Sequence, residues 1–239
     1  MLNNIKAIIN RTLSKRGYVI KKQYNNFSLN NELQWLQEKN FTTIIDIGAN
    51  TGQFACFARK LFPSARILSF EPIENCFLQL KQNCSDFQNF EAYNFGLGDE
   101  NVMSDFYLND FTPSSSLLKI SDISLTNFPY TKSQKVTKVQ VKRLDDITEQ
   151  LKINKEGLIK IDVQGFEKKV IEGGINFLNN FRGLLIIETS IKPMYISEPS
   201  FNEIYKVVTD LGFSYKGNLD QLYSPQTGEI LQVDAIFSK

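Results

Sequence analysis

The sequence contains no histidine in 239 residues, and this absence excludes several kinds of active site. A Ser-His-Asp hydrolase, a Cys-His nucleophile and a histidine-ligated zinc site all require an imidazole. Any proton transfer must therefore fall to a carboxylate, lysine or tyrosine, or to a water that one of them holds. Cysteine is also scarce, with Cys56, Cys76 and Cys84 as the only thiols and no Cys-x-x-Cys spacing. We expect no metal site, and we expect reduced thiols in a cytoplasmic protein.

An excess of charge is missing as well, since 27 basic residues nearly balance 26 acidic ones. This balance gives no general electrostatic reason to expect nucleic acid as a partner. Residues 2–13 combine apolar side chains at helical spacing with basic ones, and they are too polar for a signal peptide or a membrane span. They predict an N-terminal helical extension, 1–40, that docks on the domain, contacts a second copy in a homodimer, or touches a membrane surface.

Residues 41–239 fit one α/β domain, and the stretch that organises it is 43–54. Here an apolar run ends at Asp46, turns through Gly48 and Gly52, and continues into a helical pattern over 54–61. A strand, a tight turn and a helix in this order are typical of the first crossover in a nucleotide-binding open sheet. Dinucleotide sites have three glycines, and a pyrophosphate would be repelled by Asp46. The cationic S-adenosylmethionine would be attracted instead, which favours it over NAD.

A second carboxylate, Glu71, follows the strand predicted over 65–70. Ligands of open α/β sheets bind at the carboxyl ends of the strands, so Glu71 is placed to accept hydrogen bonds from both ribose hydroxyls. A plain surface carboxylate is the alternative. Pro72 should start the helix over 74–82, and the third strand, 90–95, should place Asn94 near the adenine. The residues expected to bind the cofactor are Asp46, Gly48, Ala49, Asn50, Thr51, Gly52, Glu71, Pro72, Asn94 and Gly96.

Two further β-like runs, 103–108 and 136–141, enclose a polar stretch, 109–135, that is rich in serine and proline. A connection of this length is uncommon unless it is a lid or a binding loop, so we interpret 109–135 as a lid and substrate insertion, with a passive linker as the alternative. Its low apolar content predicts mobility. Its aromatic residues could lie against a sugar ring and its hydroxyls could bind sugar oxygens: Phe111, Thr112, Ser114, Ser115, Ser116, Phe128 and Tyr130.

The strand predicted over 157–161 ends at Asp162 and should lie directly beside the first strand. Asp162 should therefore face the same crevice as Asp46. A short helix is expected over 143–147, a further strand over 184–188 with Glu188 at its tip, and a helix over 201–211. Residues 212–215 and 232–237 are expected to form an antiparallel pair at the edge of the sheet.

Five segments in this order resemble the FkbM-type methyltransferases: DIGANTG at 46–52, FEP at 70–72, VKRLDDI at 141–147, KIDVQGFE at 160–167 and QVDAIF at 232–237. The resemblance covers roughly 41–237. It implies a Rossmann-like class I methyltransferase fold, with a mostly parallel seven-stranded sheet, helices on both faces and a β/loop insertion. It also implies S-adenosylmethionine-dependent O-methylation of a hydroxyl on a sugar, glycan or glycosylated natural product.

A carboxylate near the acceptor hydroxyl could take its proton, and Asp162 is the candidate for this general base, with Glu167 as the second. Asp162 could instead contact the methionine end of the cofactor, and Glu167 could simply be an acid in the first turn of a helix, where the helix dipole favours it. The family commonly has glutamate where this chain has Gln164. If that position only forms hydrogen bonds, glutamine can serve. If it must carry charge, the protein is a catalytically inactive relative with a regulatory or scaffold role.

Overall fold

The computed structural model describes residues 31–109, 114–132 and 134–239. The helix predicted over 2–13 lies outside the described residues. Contacts along the chain define two units, 1–39 and 40–239, and the site described below belongs to the second. None of the described helices is long and apolar enough to cross a membrane.

Short helices alternate with the strands, as the sequence pattern predicts. The helices are α1 (Asn31–Gln37), α2 (Gln53–Leu61), α3 (Glu74–Asn83), α4 (Asp122–Asn127), α5 (Leu144–Ile147), α6 (Glu167–Gly173), α7 (Ile175–Asn180) and α8 (Phe201–Asp210). The strands are β1 (Thr43–Ile47), β2 (Arg66–Phe70), β3 (Phe90–Tyr93), β4 (Gly96–Leu97), β5 (Val102–Asn109), β6 (Gln134–Lys142), β7 (Glu156–Ile161), β8 (Arg182–Ser190), β9 (Ser214–Tyr223) and β10 (Ile230–Ser238).

The main sheet has seven strands in the order β3-β2-β1-β7-β8-β10-β9. The first five of these strands are parallel, and β10 runs antiparallel to both β8 and β9. Every residue of β1 is buried, as expected for a strand between two parallel neighbours. β7 lies beside β1, with Asp46 opposite Lys160, which confirms the predicted neighbour. The carboxyl ends of β1, β2, β7 and β8 therefore meet at one edge.

The antiparallel terminal pair is confirmed, but β9 is much longer than the four residues predicted for it. It runs from Ser214 to Tyr223 and lies at the edge of the sheet. Most of its side chains are at least partly exposed, so its sequence is polar and shows no apolar alternation. A strand at the edge of the sheet can leave most of its side chains exposed. Its sequence then lacks the apolar alternation from which the length of a strand is predicted, so β9 was predicted too short.

A second sheet of three strands, in the order β4-β6-β5, forms the predicted insertion. β5 pairs with β6 in an antiparallel hairpin that encloses residues 110–133, and β4 adds to β6 in parallel. The strand predicted over 90–95 is divided by this arrangement, because β3 ends at Tyr93 and the chain then enters the second sheet at Gly96.

The described part of the predicted lid is packed down, which corrects the expectation that it lacks apolar anchors. Ile120 belongs to a buried cluster with Met194, Tyr195 and Leu231, and Phe128 packs against this cluster. The backbone is also fastened, since the Ser121 amide donates to the Met194 carbonyl at 2.9 Å and the Ile196 amide donates to the Lys119 carbonyl at 2.7 Å. Residues 114–132 are therefore packed against the rest of the domain by apolar contacts and backbone hydrogen bonds.

Candidate active site

A cavity of about 430 Å³ lies at the carboxyl ends of β1, β2, β7 and β8. This volume is within the usual range for small-molecule sites. One end is apolar, with walls that include Phe70, Ile73 and Leu97 together with Pro72 and Gly96, the last two predicted for the site. The other end is polar and carries Lys160, Asp162, Gln164 and Glu188. Such a cavity suits an elongated ligand with one flat apolar end.

The turn after β1 fits tightly against the end of β7. Gly48 has a φ of +84°, and a Cβ atom there would lie 1.8 Å from the Asp162 carbonyl oxygen, so only glycine fits. The amides of Gly48 and Ala49 both donate to the Phe70 carbonyl at 3.0 Å. These contacts fix the turn against β2 and β7 and leave Gly48, Ala49 and Asn50 in the wall of the cavity.

Glu71 is held rigidly at the tip of β2. It is 5% exposed, and its two carboxylate oxygens accept hydrogen bonds from the backbone amides of Asn50 and Ile73, each at 2.8 Å. Burial raises the pKa of Glu71 to about 7, although these hydrogen bonds oppose the shift. Each carboxylate oxygen has a second lone pair, so Glu71 can still accept hydrogen bonds from a ligand's hydroxyls. This geometry suits the predicted ribose contact.

Asp46 is completely buried beneath the turn and does not line the cavity, which corrects its assignment as a contact residue. The Ser69 hydroxyl donates to its Oδ2 at 3.2 Å, and its Oδ1 has no hydrogen-bond donor among the described residues. Burial raises the pKa of Asp46 to about 6, and the charge of Lys160 partly opposes that shift. Asp46 can therefore attract a cationic ligand only by Coulomb interaction at a distance and not by direct contact.

Thr51, Gly52 and Asn94 were also predicted to contact the cofactor and lie outside the cavity wall. The Asn94 amide donates to the backbone carbonyls of Glu71 and Pro72, at 3.0 and 3.2 Å, and so braces the loop that carries Glu71. Gly52 has a φ of +96°, which allows the turn to close before α2 begins. These residues support the turn and the loop from outside the cavity.

A network of four polar side chains occupies the other end of the cavity. The Lys160 ammonium donates to Asp162 Oδ2 at 2.5 Å. The Gln164 side-chain amide donates to Asp162 Oδ1 at 2.8 Å and to Glu188 Oε2 at 2.7 Å. Gln164 has a φ of +56°, which is costly for a residue other than glycine and is typical of functional sites. Its amide thus joins two carboxyl groups.

The two carboxyl groups in this network differ in charge. Burial acts to raise the pKa of Asp162, but Lys160 and the hydrogen bonds to Asp162 outweigh burial and lower it below its ordinary value. Burial and the charge of Asp162 raise the pKa of Glu188 well above its ordinary value. Asp162 is therefore held as an anion paired with Lys160, and the surroundings of Glu188 favour its protonated form.

Glu167 serves a different purpose from the one predicted. It is 2% exposed, lies outside the cavity wall, and its Oε1 accepts hydrogen bonds from the amides of Val163 and Gly165 at 3.0 and 3.1 Å. Burial raises the pKa of Glu167 to about 8. Because it braces the loop after β7 from inside, Glu167 is a positioning residue for Asp162 and Gln164 and not a second base.

Sequence reasoning missed Lys160, and it noted Glu188 at a strand tip without proposing it for the site. Lys160 precedes Asp162 by two positions, so the alternation of side chains along a strand places both on one face. That spacing could have identified it. Phe106 in β5, and Ser115 and Leu117 in the segment between β5 and β6, also line the cavity. Ser115 was among the hydroxyls predicted for acceptor binding, whereas no sequence signal placed Phe106 or Leu117 there.

The fold and this cavity together define a class I S-adenosylmethionine-dependent methyltransferase. A family model described as the methyltransferase FkbM domain matches residues 46–215. The chain belongs to the FkbM methyltransferase family, which confirms the resemblance seen in the motifs, and its cofactor is S-adenosylmethionine.

Individual relatives are distant. The 2-O-methyltransferase NoeI of Sinorhizobium fredii is 26% identical over 183 residues, which are 74% of this chain and 74% of that protein. Methyltransferase 1 of Beauveria bassiana is 29% identical over 142 residues, which are 54% of this chain and 57% of that protein. The crystal structure of methyltransferase FkbM from Methylobacillus flagellatus superposes with a TM-score of 0.52 at 12% identity, covering 84% of this chain and 44% of that chain.

The residues of the cavity fit the cofactor. The apolar end can hold an adenine, Glu71 can accept hydrogen bonds from the ribose, and the turn of Gly48, Ala49 and Asn50 lies between them and Asp162. Asn50 Oδ1 is a buried acceptor without a partner among the described residues, as expected for a group that awaits a ligand's donor. When bound, S-adenosylmethionine supplies an electrophilic methyl group on a sulfonium.

Proposed function

We propose that this methyltransferase acts on a hydroxyl oxygen of a sugar, a glycan or a glycosylated natural product. The observation that carries the proposal is the network in which Gln164 joins Asp162 to Glu188 at the polar end of the cavity. Glu71 follows β2 and Glu188 lies in β8, and β1 and β7 lie between these two strands. Three strand spacings correspond to a distance of about 14 Å. The cofactor and an acceptor hydroxyl can therefore lie side by side.

The charges at this end favour an uncharged acceptor. Lys160 is a cation. Burial alone would lower the pKa of Lys160, but the negative charges of Asp162 and Asp46 outweigh burial and raise it. The charge of Lys160 is already neutralised by Asp162 at 2.5 Å, so an anionic acceptor gains little from it. Asp162 and Glu188 are instead suited to exchange hydrogen bonds with hydroxyls. The name of the relative NoeI as a 2-O-methyltransferase supports oxygen as the acceptor atom.

Asp162 is well placed to take the acceptor's proton despite its low pKa. As the hydroxyl oxygen forms its new bond to carbon, it becomes positively charged and its proton becomes strongly acidic. A weakly basic carboxylate is then sufficient, and general-base catalysis of this kind contributes about 10²–10⁴-fold. Gln164 holds Asp162 Oδ1 in place, and Lys160 keeps Asp162 ionised. A neutral glutamine can fill this positioning role.

The test is a rate comparison across methyl glycosides. The purified protein would be incubated with cofactor labelled in the methyl group and with the methyl glycosides of a hexose, a 6-deoxyhexose and a hexuronic acid. We expect label in the neutral glycosides and little in the hexuronate. Transfer to an amine or to protein, or a faster rate on the hexuronate, would contradict the proposal. No transfer to any hydroxyl, with cofactor binding intact, would favour the inactive relative.

A further inference from the structure

A second, smaller cavity opens on the far side of Glu188 from Asp162, between β8, β10 and β9, and has a volume of about 160 Å³. Its walls include Glu188, Asp220, Gln221, Leu222, Gln232 and Asp234. Glu188 lines both cavities, so the two spaces meet at this side chain. Asp234 is opposite Glu188 in the strand register, which puts the second cavity at the same edge of the sheet as the cofactor site.

The walls are rich in hydrogen-bonding groups and hold no cation. They present three carboxyl groups, two carboxamides and the apolar residues Leu222 and Val233, and no described lysine or arginine lines the space. The Gln232 amide makes only long contacts of 3.3 Å, to Glu188 Oε2 and to Ser190 Oγ. No described residue donates a hydrogen bond to the Asp234 carboxylate.

The charge and the volume of this cavity favour a small ligand without acidic groups. An acidic ligand would lie against Asp220 and Asp234 with no cationic side chain in the cavity wall, and Coulomb repulsion would disfavour it. The acidic side chains of the described residues are not grouped to hold a metal ion. A volume of 160 Å³ is well below that of a site for a large ligand but can take one small ring with several hydroxyls. Leu222 can pack against the apolar face of such a ring.

We propose that the second cavity is an acceptor subsite that holds a second sugar unit without acidic groups, next to the unit that is methylated. The inference rests on the proposed function, since it assumes that the first unit presents its hydroxyl to Asp162 and Glu188. Glu188 lies at the junction and contacts both units. The acceptor is accordingly a disaccharide or a longer glycan.

The experiment measures sugar binding to the protein loaded with S-adenosylhomocysteine, by saturation-transfer NMR titration. The probes are methyl glucoside, the neutral disaccharide cellobiose and the acidic digalacturonate. We expect cellobiose to bind about tenfold or more tightly than methyl glucoside, and digalacturonate to bind no better than methyl glucoside. Leu222→Trp, which fills the cavity, should remove the advantage of cellobiose. Lys216→Trp, on an exposed position of the same strand outside the cavity, should leave it unchanged.

A second variant, Asp220→Lys, tests the proposal independently in case Leu222→Trp does not fold. Asp220→Lys changes an exposed wall residue and should reverse the charge preference, so that digalacturonate gains about tenfold or more over its affinity for the parent protein. The proposal is overturned if cellobiose has no advantage, if Leu222→Trp retains it while binding S-adenosylhomocysteine normally, or if Asp220→Lys leaves the preference unchanged. Methylation of single glycosides without a gain from a second unit would refute the subsite and leave the proposed function intact. Binding in the second cavity without any transfer to oxygen would refute the proposed function alone.

Discussion

Glu71 is the residue whose replacement tests the cofactor site most sharply, because its carboxylate has both a structural and a ligand role. Its two oxygens accept hydrogen bonds from the amides of Asn50 and Ile73 at 2.8 Å, and it lines the cavity. Glu71→Ala leaves both buried amides without an acceptor. A buried donor left unpaired costs about 1–3 kcal/mol, so we expect the free energy of unfolding to fall by about 2–4 kcal/mol after partial access of water.

The same substitution removes the two charge-assisted hydrogen bonds that we expect Glu71 to accept from the ribose. At about 1–2 kcal/mol each, their loss weakens cofactor binding by roughly 2–4 kcal/mol. This corresponds to an increase of about 30- to 700-fold in the dissociation constant. Isothermal titration calorimetry with S-adenosylhomocysteine measures the affinity, and urea denaturation measures the stability. Glu74→Ala is the matched control, since Glu74 is an exposed carboxylate three positions away that lies outside the cavity.

The pH dependence follows from the raised pKa. Folding raises the pKa of Glu71 from 4.5 to about 7, so the folded protein holds this proton more tightly than the unfolded chain. The stabilisation that results is complete below pH 4.5, amounts to about 3 kcal/mol, and is lost as the pH rises through 7. Cofactor binding needs the ionised carboxylate, so affinity should fall about tenfold per unit below pH 7 and binding there should release a proton. Unchanged affinity in Glu71→Ala, or no proton release in the parent protein at about pH 6, would refute the ribose assignment.

Three further substitutions separate the roles in the polar network. Asp162→Asn should lower the single-turnover rate about 10²-fold or more while changing cofactor affinity only a few fold, and a proportional loss of affinity would make Asp162 a cofactor ligand. Lys160→Met should lower the free energy of unfolding in urea by about 1–3 kcal/mol, because it leaves the partly buried Asp162 carboxylate without its ion-pair partner, and a neutral effect would contradict the assigned charges. Glu167→Gln keeps an acceptor for the Val163 and Gly165 amides, so turnover should change less than about threefold. A large loss of turnover in Glu167→Gln with unchanged stability would instead support Glu167 as a base.

The position of β7 beside β1 and the antiparallel pair at the sheet edge could be predicted, because the informative residues lie on local patterns. Asp46 and Asp162 each end an apolar run before a turn, and parallel strands bring their ends together. Glu71 was identified by the same reasoning. The edge strand β9 was underestimated because exposure on the sheet edge removes the apolar alternation that marks a strand.

The functions of individual side chains were harder to predict, since they depend on distances that spacing does not determine. Glu167 ends a motif that was predicted for the site, yet its carboxylate turns inward to hold the amides of the loop. Asn94 likewise faces the backbone of Glu71 and Pro72 instead of the cavity. The packing of residues 114–132 depends on an apolar cluster that is far away in sequence, formed by Met194, Tyr195 and Leu231.

The most direct measurement of the proposed chemistry is the NMR identification of the methylated atom. The protein would be incubated with S-adenosylmethionine carrying a ¹³C-methyl group and with glycans extracted from its native host, and the product would be examined by carbon–proton correlation. We expect the label in a methyl ether on a ring hydroxyl of a neutral sugar, and we expect Asp162→Asn to abolish that signal. A label on nitrogen, on a carboxylate or on protein would contradict the assignment of a neutral sugar hydroxyl as the acceptor.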